Sequence, residues 1–366
     1  MVALGQGGIM PFDLGMLIEN VFAPEPGETV VVACDFPERP EEDTPQWRDR
    51  RTWAQEWHQA FAALGHARGF STLPLVSFPA TGAHGAALPE RGILGNKETL
   101  LEGVLLQATL AVFLTEFSAT AALDGLTKRK EDFRAASLPG VERRMTETAL
   151  SADYREVARR CQILFDALEG AQRLEVAFST GHRCVFDLRF RRPEVDDGFL
   201  PRGKVGDRVI NLPSGETFIV PYEGEREGIP SQTQGEIPWL DQDQLVVFQI
   251  QGNRIAQVIG QGVSAQHFRE VFAQDPARTN IGEVAFGCNP KAQITGNVLE
   301  DEKAGFHWAY GRSDHLGGTV DVAAFLSPAT VVHQDLVYAP GTVASAVAYK
   351  PDGPVKVMEK GHYLLF

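Results

Sequence analysis

Thr29-Val-Val-Val-Ala-Cys34 is the stretch that decides the first half of the chain. A short, uninterrupted apolar run of this kind is a strand covered on both faces, as in a parallel sheet. Beyond it, a Pro- and Glu-rich stretch at 37–45 leads to Trp53, Trp57, Phe61 and Leu64 at helical spacing. Thr72 to Phe78 reads as a second strand, Lys97 to Leu110 as a second helix, and Leu110-Ala-Val-Phe-Leu114 as another buried strand. Arg134 to Leu138, closed by Pro139-Gly140, adds a short strand. Val157, Cys161, Leu164 and Leu168 then stripe a helix through 152–170. Strands and helices alternating in this way predict an α/β domain with a mainly parallel sheet over residues 1–171. Gly5-Gln-Gly-Gly8 precedes the first strand instead of following it, which argues against a dinucleotide-binding loop. His58, His66 and His84 read as solvated or helix-surface residues, the two tryptophans as core, and this half as scaffold.

The texture changes near Ala171. Leu174 to Phe178 and Cys184 to Phe190 alternate apolar and polar residues, as in an antiparallel hairpin. Gln244 to Ile250 and Arg254 to Ile259 flank Gly252-Asn253, a second hairpin signal. Ser264 is placed to cap a helix carrying Phe268, Val271 and Phe272. Residues 172–366 are therefore expected to form a β-rich (α+β) domain.

The composition narrows the function classes. A chain of 366 residues, 43% hydrophobic and 22% charged, is that of a globular protein. The net charge of −14 argues against nucleic acid and anionic membrane as partners. No apolar run reaches the roughly 18 residues that span a bilayer, and Asp13 and Glu19 interrupt the mildly apolar start, so no signal peptide is expected. The four cysteines, 34, 161, 184 and 288, form no C-x-x-C pair and read as buried, reduced thiols of a cytoplasmic protein.

Candidate chemistry gathers in the second half. Glu216 sits in Asn211-Leu-Pro-Ser-Gly-Glu216, ahead of Thr217-Phe-Ile-Val-Pro221, and Glu283 interrupts the apolar run Ile281 to Gly287. His307, His333 and Asp335 fall between Gly305 and Asp335. If Val331 to Val337 is a strand, His333 and Asp335 project from one face, because side-chain direction repeats every second residue. Taken singly, each Glu is most simply an exposed strand or turn residue and His307 a hydrogen-bonded core histidine. Together, three carboxylates and two imidazoles in apolar segments would each cost several kcal/mol if buried unpaired. Two divalent cations remove that cost, and mixed His/carboxylate ligation suits zinc, cobalt, manganese or Fe(II). Asp301, Glu302 and Lys303, just ahead of His307, read first as a solvated charged loop and second as groups that support the ligands, and Arg312 as an exposed arginine or a partner for a substrate carboxylate.

The segments N-L-P-S-G-E-T-F-I-V-P, I-G-E-V-A-F-G, D-E-K-A-G-F-H-W-A-Y-G, G-G-T-V-D and V-V-H-Q-D resemble, in order and spacing, the aminopeptidase T / aminopeptidase S family of metallopeptidases. A-S-L-P-G-V-E-R-R-M followed by A-D-Y extends the resemblance back to about residue 134. It implies an N-terminal α/β domain, a β-rich catalytic domain holding two divalent metal ions (Zn, Co, Mn or Mg), and a homodimer acting on short peptides. The implied ligands are Glu216, Glu283, His307, His333 and Asp335. The family tyrosine seven residues after the first ligand histidine is replaced here by Asp314, a poor oxyanion donor. Tyr310 and His315 are the residues near enough in sequence to substitute, so Glu216, His315 and Tyr310 are the catalytic candidates. Gly215 stands where many of the peptidases carry a second Glu. The related 2,5-dihydroxypyridine dioxygenases, which use Fe(II), are similar in the H-x-D strand but carry histidine near Glu283 and serine near His307. They give the second expectation; a catalytically silent relative binding a peptide or metabolite gives the third.

Overall fold

A computed structural model describes residues 12–241 and 244–366; the glycines at 5–8 lie outside them. Thr29–Phe36 is the middle strand of a mostly parallel sheet. Its order is Val209–Asn211, Arg134–Ser137, Leu110–Leu114, Thr29–Phe36, Val76–Pro79, Arg91–Leu94 and Lys97–Leu100, with Ser71–Thr72 beside Thr29–Phe36. Pairing is parallel from Val209–Asn211 to Val76–Pro79 and antiparallel across the last two strands. The helix Pro45–Arg68 covers one face. Thr44 Oγ1 accepts from Trp47 N, Pro45 opens the first turn, and Gly69 closes it in the left-handed region. Trp53, Trp57 and Phe61 are buried, as their spacing predicts.

Three local expectations need correction. The segment 97–110 is not one helix: Gly95-Asn96 turns a hairpin, Lys97–Leu100 pairs with Arg91–Leu94, and only Leu101–Leu105 is helical. The strand expected at 72–78 is broken around Pro74, which has no N–H to give a ladder. The helix Val263–Gln274 is capped by Gly262, while Ser264 donates to Asp241 Oδ2 at 2.7 Å.

The second half contributes two antiparallel sheets. A five-stranded sheet runs Glu194–Asp196, Glu216–Ile219, Ile281–Gly287, Phe306–Gly311, His333–Val337. An eight-stranded sheet includes the two hairpins expected from the sequence, Arg173–Phe178 with Arg183–Asp187 and Gln244–Gln251 with Arg254–Ile259. The protein is thus an α/β unit joined to a β-rich region. One buried core runs from Leu17 through both to Met358. All four cysteines are buried and free. Among the described residues no helix is long and apolar enough to cross a membrane.

Every second residue of the five-stranded sheet points into that core. Phe306, Trp308, Tyr310, Val284, Phe286 and Leu336 are buried there, and Trp308 meets Phe248 of the eight-stranded sheet edge-on at 5.4 Å. The opposite face of the same strands is left for chemistry.

The parallel sheet is anchored at its far end by Arg134 and Glu28, both buried, whose carboxylate and guanidinium meet through two contacts, one of 3.0 Å. Arg134 also donates to the carbonyls of Leu200 and Phe22. Glu28→Ala leaves that guanidinium buried and unpaired, and should lower unfolding stability by about 3–5 kcal/mol in urea titrations. A double variant in which Met replaces Arg134 as well should recover much of the loss.

Candidate metal centre

The free face of the five-stranded sheet carries charge alternating with small residues. Across it, Glu283 pairs with Ala309 and Ala309 with Asp335; His307 pairs with Ala285, Gly311 with His333, and Glu216 with Gly287. Ala309 lies between two carboxylates in one cross-strand row, so only a methyl group fills the space between them. All five expected ligands fall on this face. They converge as two groups, Glu216–Glu283–His307 and Glu283–His333–Asp335, with Glu283 common to both.

The distances divide the two oxygens of Glu283. His333 Nε2 lies 3.0 Å from Oε2 and His307 Nε2 3.9 Å from Oε1. His307 Nε2 is also 3.2 Å from Glu216 Oε2, and His333 Nε2 3.6 Å from Asp335 Oδ1. Each imidazole is anchored from behind: His307 Nδ1–H donates to the Gly305 carbonyl at 3.2 Å and His333 Nδ1–H to the Arg312 carbonyl at 2.7 Å. Those bonds place the proton on Nδ1 and leave Nε2 to face the carboxylates, the arrangement of a metal-binding histidine. Glu216 Oε2, buried, has no hydrogen-bond partner despite its closeness to His307. Oxygen and nitrogen donors aimed at common points, one of them an orphaned carboxylate oxygen, fit divalent cations.

The surrounding charges agree. Asp196, Glu216, Glu283, Glu302 and Asp335 lie around the centre with Lys303 as the one ammonium in contact with them among the described residues. Burial disfavours imidazolium, yet Glu216, Glu283 and Asp335 outweigh it and lift His307 to about 9. His333 is raised well above its usual range against the same burial cost, by Asp335 and Glu283. Burial pushes Glu283 up, with Asp335 adding to the rise. Glu302 rises to about 8 through burial, against the pull of Lys303, with Glu216 and Asp335 reinforcing it.

The expectation of a solvated loop at 301–303 is overturned. Glu300, Asp301, Glu302 and Lys303 are all buried. They pack on Gly287, where an added Cβ would come within 2.1 Å of the Glu302 carbonyl. Gly215, the position of a second Glu in many of the peptidases, has φ +127°, and a Cβ there would approach Asn289 Cβ at 2.8 Å. No side chain fits at that position.

Asp314 does not enter the centre. Arg312 holds it with two contacts, one of 3.0 Å, and Arg312 and His315 keep its carboxyl well below the usual range despite burial. His315 stands over His333, with ring centroids 5.0 Å apart, and burial depresses its protonation. Its Nδ1 has no hydrogen-bond partner and lies 3.8 Å from Asp314 Oδ1. The loop bearing both residues is pinned by Glu223, which accepts from Ser313 Oγ, Asn280 Nδ2 and Thr319 N. Tyr310 is on the opposite face, edge-on to Phe272 at 5.0 Å in the aromatic core.

A cavity of about 440 Å³ opens over Glu216, Glu283, His333 and Asp335. Its far wall comes from the α/β half: Glu116, Ser118 and Thr120 after Leu110–Leu114, Pro139-Gly140 after Arg134–Ser137, and Asn211. These are the carboxyl ends of parallel strands, where α/β sheets bind ligands. His84, exposed as its sequence reading expects, joins them at the cavity rim; its Nδ1 accepts from Ser118 N at 3.1 Å. His84 and Glu116 carry no local sequence signal, since the fold alone brings them opposite the ligand strands.

A divalent cation requires neutral imidazole, whereas His307 at about 9 and His333 above its usual range are protonated at pH 7 in the field of these carboxylates. Metal binding at pH 7 should therefore release protons, and affinity should rise as pH increases above 7. Calorimetry in buffers of different ionisation enthalpy measures that release; none at pH 7 would contradict the assigned field.

No family model and no curated protein matches the chain. Among the solved structures that match it in fold, two do so over nearly their whole lengths. One is 2,5-dihydroxypyridine dioxygenase from Pseudomonas putida KT2440, with TM-score 0.64 and 18% identity, covering 97% of this chain and 98% of that one. The other is wild-type AmpT from Thermus thermophilus, with TM-score 0.62 and 14% identity, covering 96% and 98%. They correspond to the two groups that the sequence motifs resemble, and what the chain has in common with both is the fold.

Proposed function

We propose that the protein is a metal-dependent hydrolase of the aminopeptidase type, acting through two divalent cations on short peptides or small amides. The observation that supports it is the division of Glu283: Oε2 faces His333, whose group includes Asp335, and Oε1 faces His307, whose group includes Glu216. Glu283 would be common to both cation sites, with Glu216 and His307 completing one and His333 and Asp335 the other. Zinc, cobalt, manganese or magnesium would suit these donors. When bound, such a pair supplies Lewis acidity toward a carbonyl and a water acidic enough to act as nucleophile.

The chain's own residues do the rest. The carbonyls of Gly305 and Arg312 fix the two imidazoles, and Arg312 keeps Asp314 out of the centre. His315, neutral and facing the cavity, takes the place of the family tyrosine as hydrogen-bond donor to the substrate. Tyr310, in the core, takes no part. A cavity of about 440 Å³ between the two halves favours a short substrate over a folded chain. The catalytic region in this proposal is 172–366, and the protein works as a cytoplasmic homodimer.

The ring-cleaving Fe(II) alternative calls for two histidines and one carboxylate on a single metal. Each group here has one histidine and two carboxylates, so that alternative ranks second. The test is metal content by elemental mass spectrometry together with release from dipeptide and aminoacyl reporters after loading with zinc, cobalt or manganese. Two metals per chain and turnover are expected, with Glu283→Gln losing metal and lowering turnover by about a hundredfold or more. One iron per chain with oxygen uptake on dihydroxypyridines would transfer the assignment to the second reading. Ligand-raised Tm without turnover under any metal would make the protein a binding relative.

A further inference from the structure

Lys303 has a fully buried side chain, and its ammonium touches carboxylates from three separate elements. Nζ lies 2.5 Å from Glu216 Oε1, 2.8 Å from Glu302 Oε1 and 3.7 Å from Asp196 Oδ2. Its backbone is held as well: its carbonyl accepts from Asn289 N at 3.0 Å, and its N–H donates to the Glu300 carbonyl at 3.0 Å. The register explains how it reaches Glu216. Gly287 is the cross-strand partner of Glu216, and the bare glycine lets the 302–304 backbone lie against the sheet at that point.

The two candidate metal groups are consequently unlike. In one, the Glu216 carboxylate is already half claimed: Oε1 belongs to Lys303, and Oε2 alone, orphaned and 3.2 Å from His307 Nε2, is left for a cation. In the other, no lysine or arginine among the described residues lies within ion-pair distance of Glu283 or Asp335, whose contacts of that kind are the histidines. A fixed positive charge repels a cation held by the same carboxylate, and an oxygen bound to an ammonium is not available for bidentate ligation.

Building on the two-metal proposal, we propose that Lys303 is a positioning residue that limits Glu216 to one-oxygen ligation. The Glu216–Glu283–His307 group is thereby the weaker, exchangeable site, and Glu283–His333–Asp335 the tight one. Occupancy of the second cation, and with it activity, then follows the metal supply over a range in which the first site is already full.

The experiment is metal titration of the chelator-stripped full chain with Co(II), followed by calorimetry and by the visible absorption of bound cobalt. Two steps differing by about tenfold or more in affinity are expected. Glu216→Gln should remove the weak step and Asp335→Asn the tight one. Lys303→Met should tighten the weak step about tenfold and leave the tight one in place, whereas Lys303→Arg, which keeps the charge, should preserve the gap. A purely structural lysine would instead weaken both steps together. Two steps of equal affinity, or loss of the weak step in Asp335→Asn, would overturn the assignment to Lys303 while leaving the two-metal reading intact. A single step or none would overturn the two-metal reading itself. If Lys303→Met fails to fold, Lys303→Gln, which also lacks the charge, carries the same expectation, and the Glu216→Gln and Asp335→Asn titrations fix which step belongs to which group.

Discussion

A sheet face that carries four carboxylates, with Glu302 packed beside it as a fifth, against one ammonium is an electrostatic constraint that the rest of the molecule has to satisfy. Charge of one sign removed from water is costly unless opposite charge is fixed nearby. Within the chain, Lys303 meets part of this need, and the raised protonation of His307 and His333 meets more. Two divalent cations would balance the remainder while freeing both imidazoles to act as ligands. Ala285 and Ala309 on this face keep the space between the charged side chains small and apolar, while Gly287 and Gly311 admit the backbone at Glu302 and Val332.

Much of this was legible in the sequence because strand periodicity is local. The H-x-D pair at 333 and 335 and the carboxylate within Ile281 to Gly287 announce side chains on one face of a sheet, and the structure brings them together with Glu216 and His307. The two central parallel strands were equally plain, because residues 30–34 and 110–114 are runs without a polar side chain. The misreadings have physical causes. Leu101, Val104 and Leu105 do stripe a helix, and that stripe masked the Gly95-Asn96 turn and the strand before it. The charged segment at 301–303 looks solvated because three charged residues in a row ordinarily are. Its burial depends on Gly287 and on carboxylates 87 and more residues away, which no local pattern encodes.

Asp314, at the position where the resemblance places a tyrosine, has a different task in this structure. It is locked to Arg312, whose carbonyl in turn orients His333, so the pair serves the support of the centre. With Asp314 turned away, His315 is the member of that loop that stands against the ligand histidine. In the proposed reading, chemistry at the centre relies on the His315 imidazole where the family that the motifs resemble has a phenol. The two differ in acidity and reach, and the pH range of turnover should differ accordingly.

The strand Val209–Asn211 belongs in sequence to the second half but completes the sheet of the first, pairing in parallel with Arg134–Ser137. The two halves are therefore stitched by backbone hydrogen bonds as well as by side-chain packing. A fragment ending near residue 171 would carry Arg134–Ser137 as an open edge, with its ladder groups free to recruit a strand from another copy. Expression of the first half alone is thus a route to aggregation, and the wall it offers to the cavity exists as such only in the intact chain.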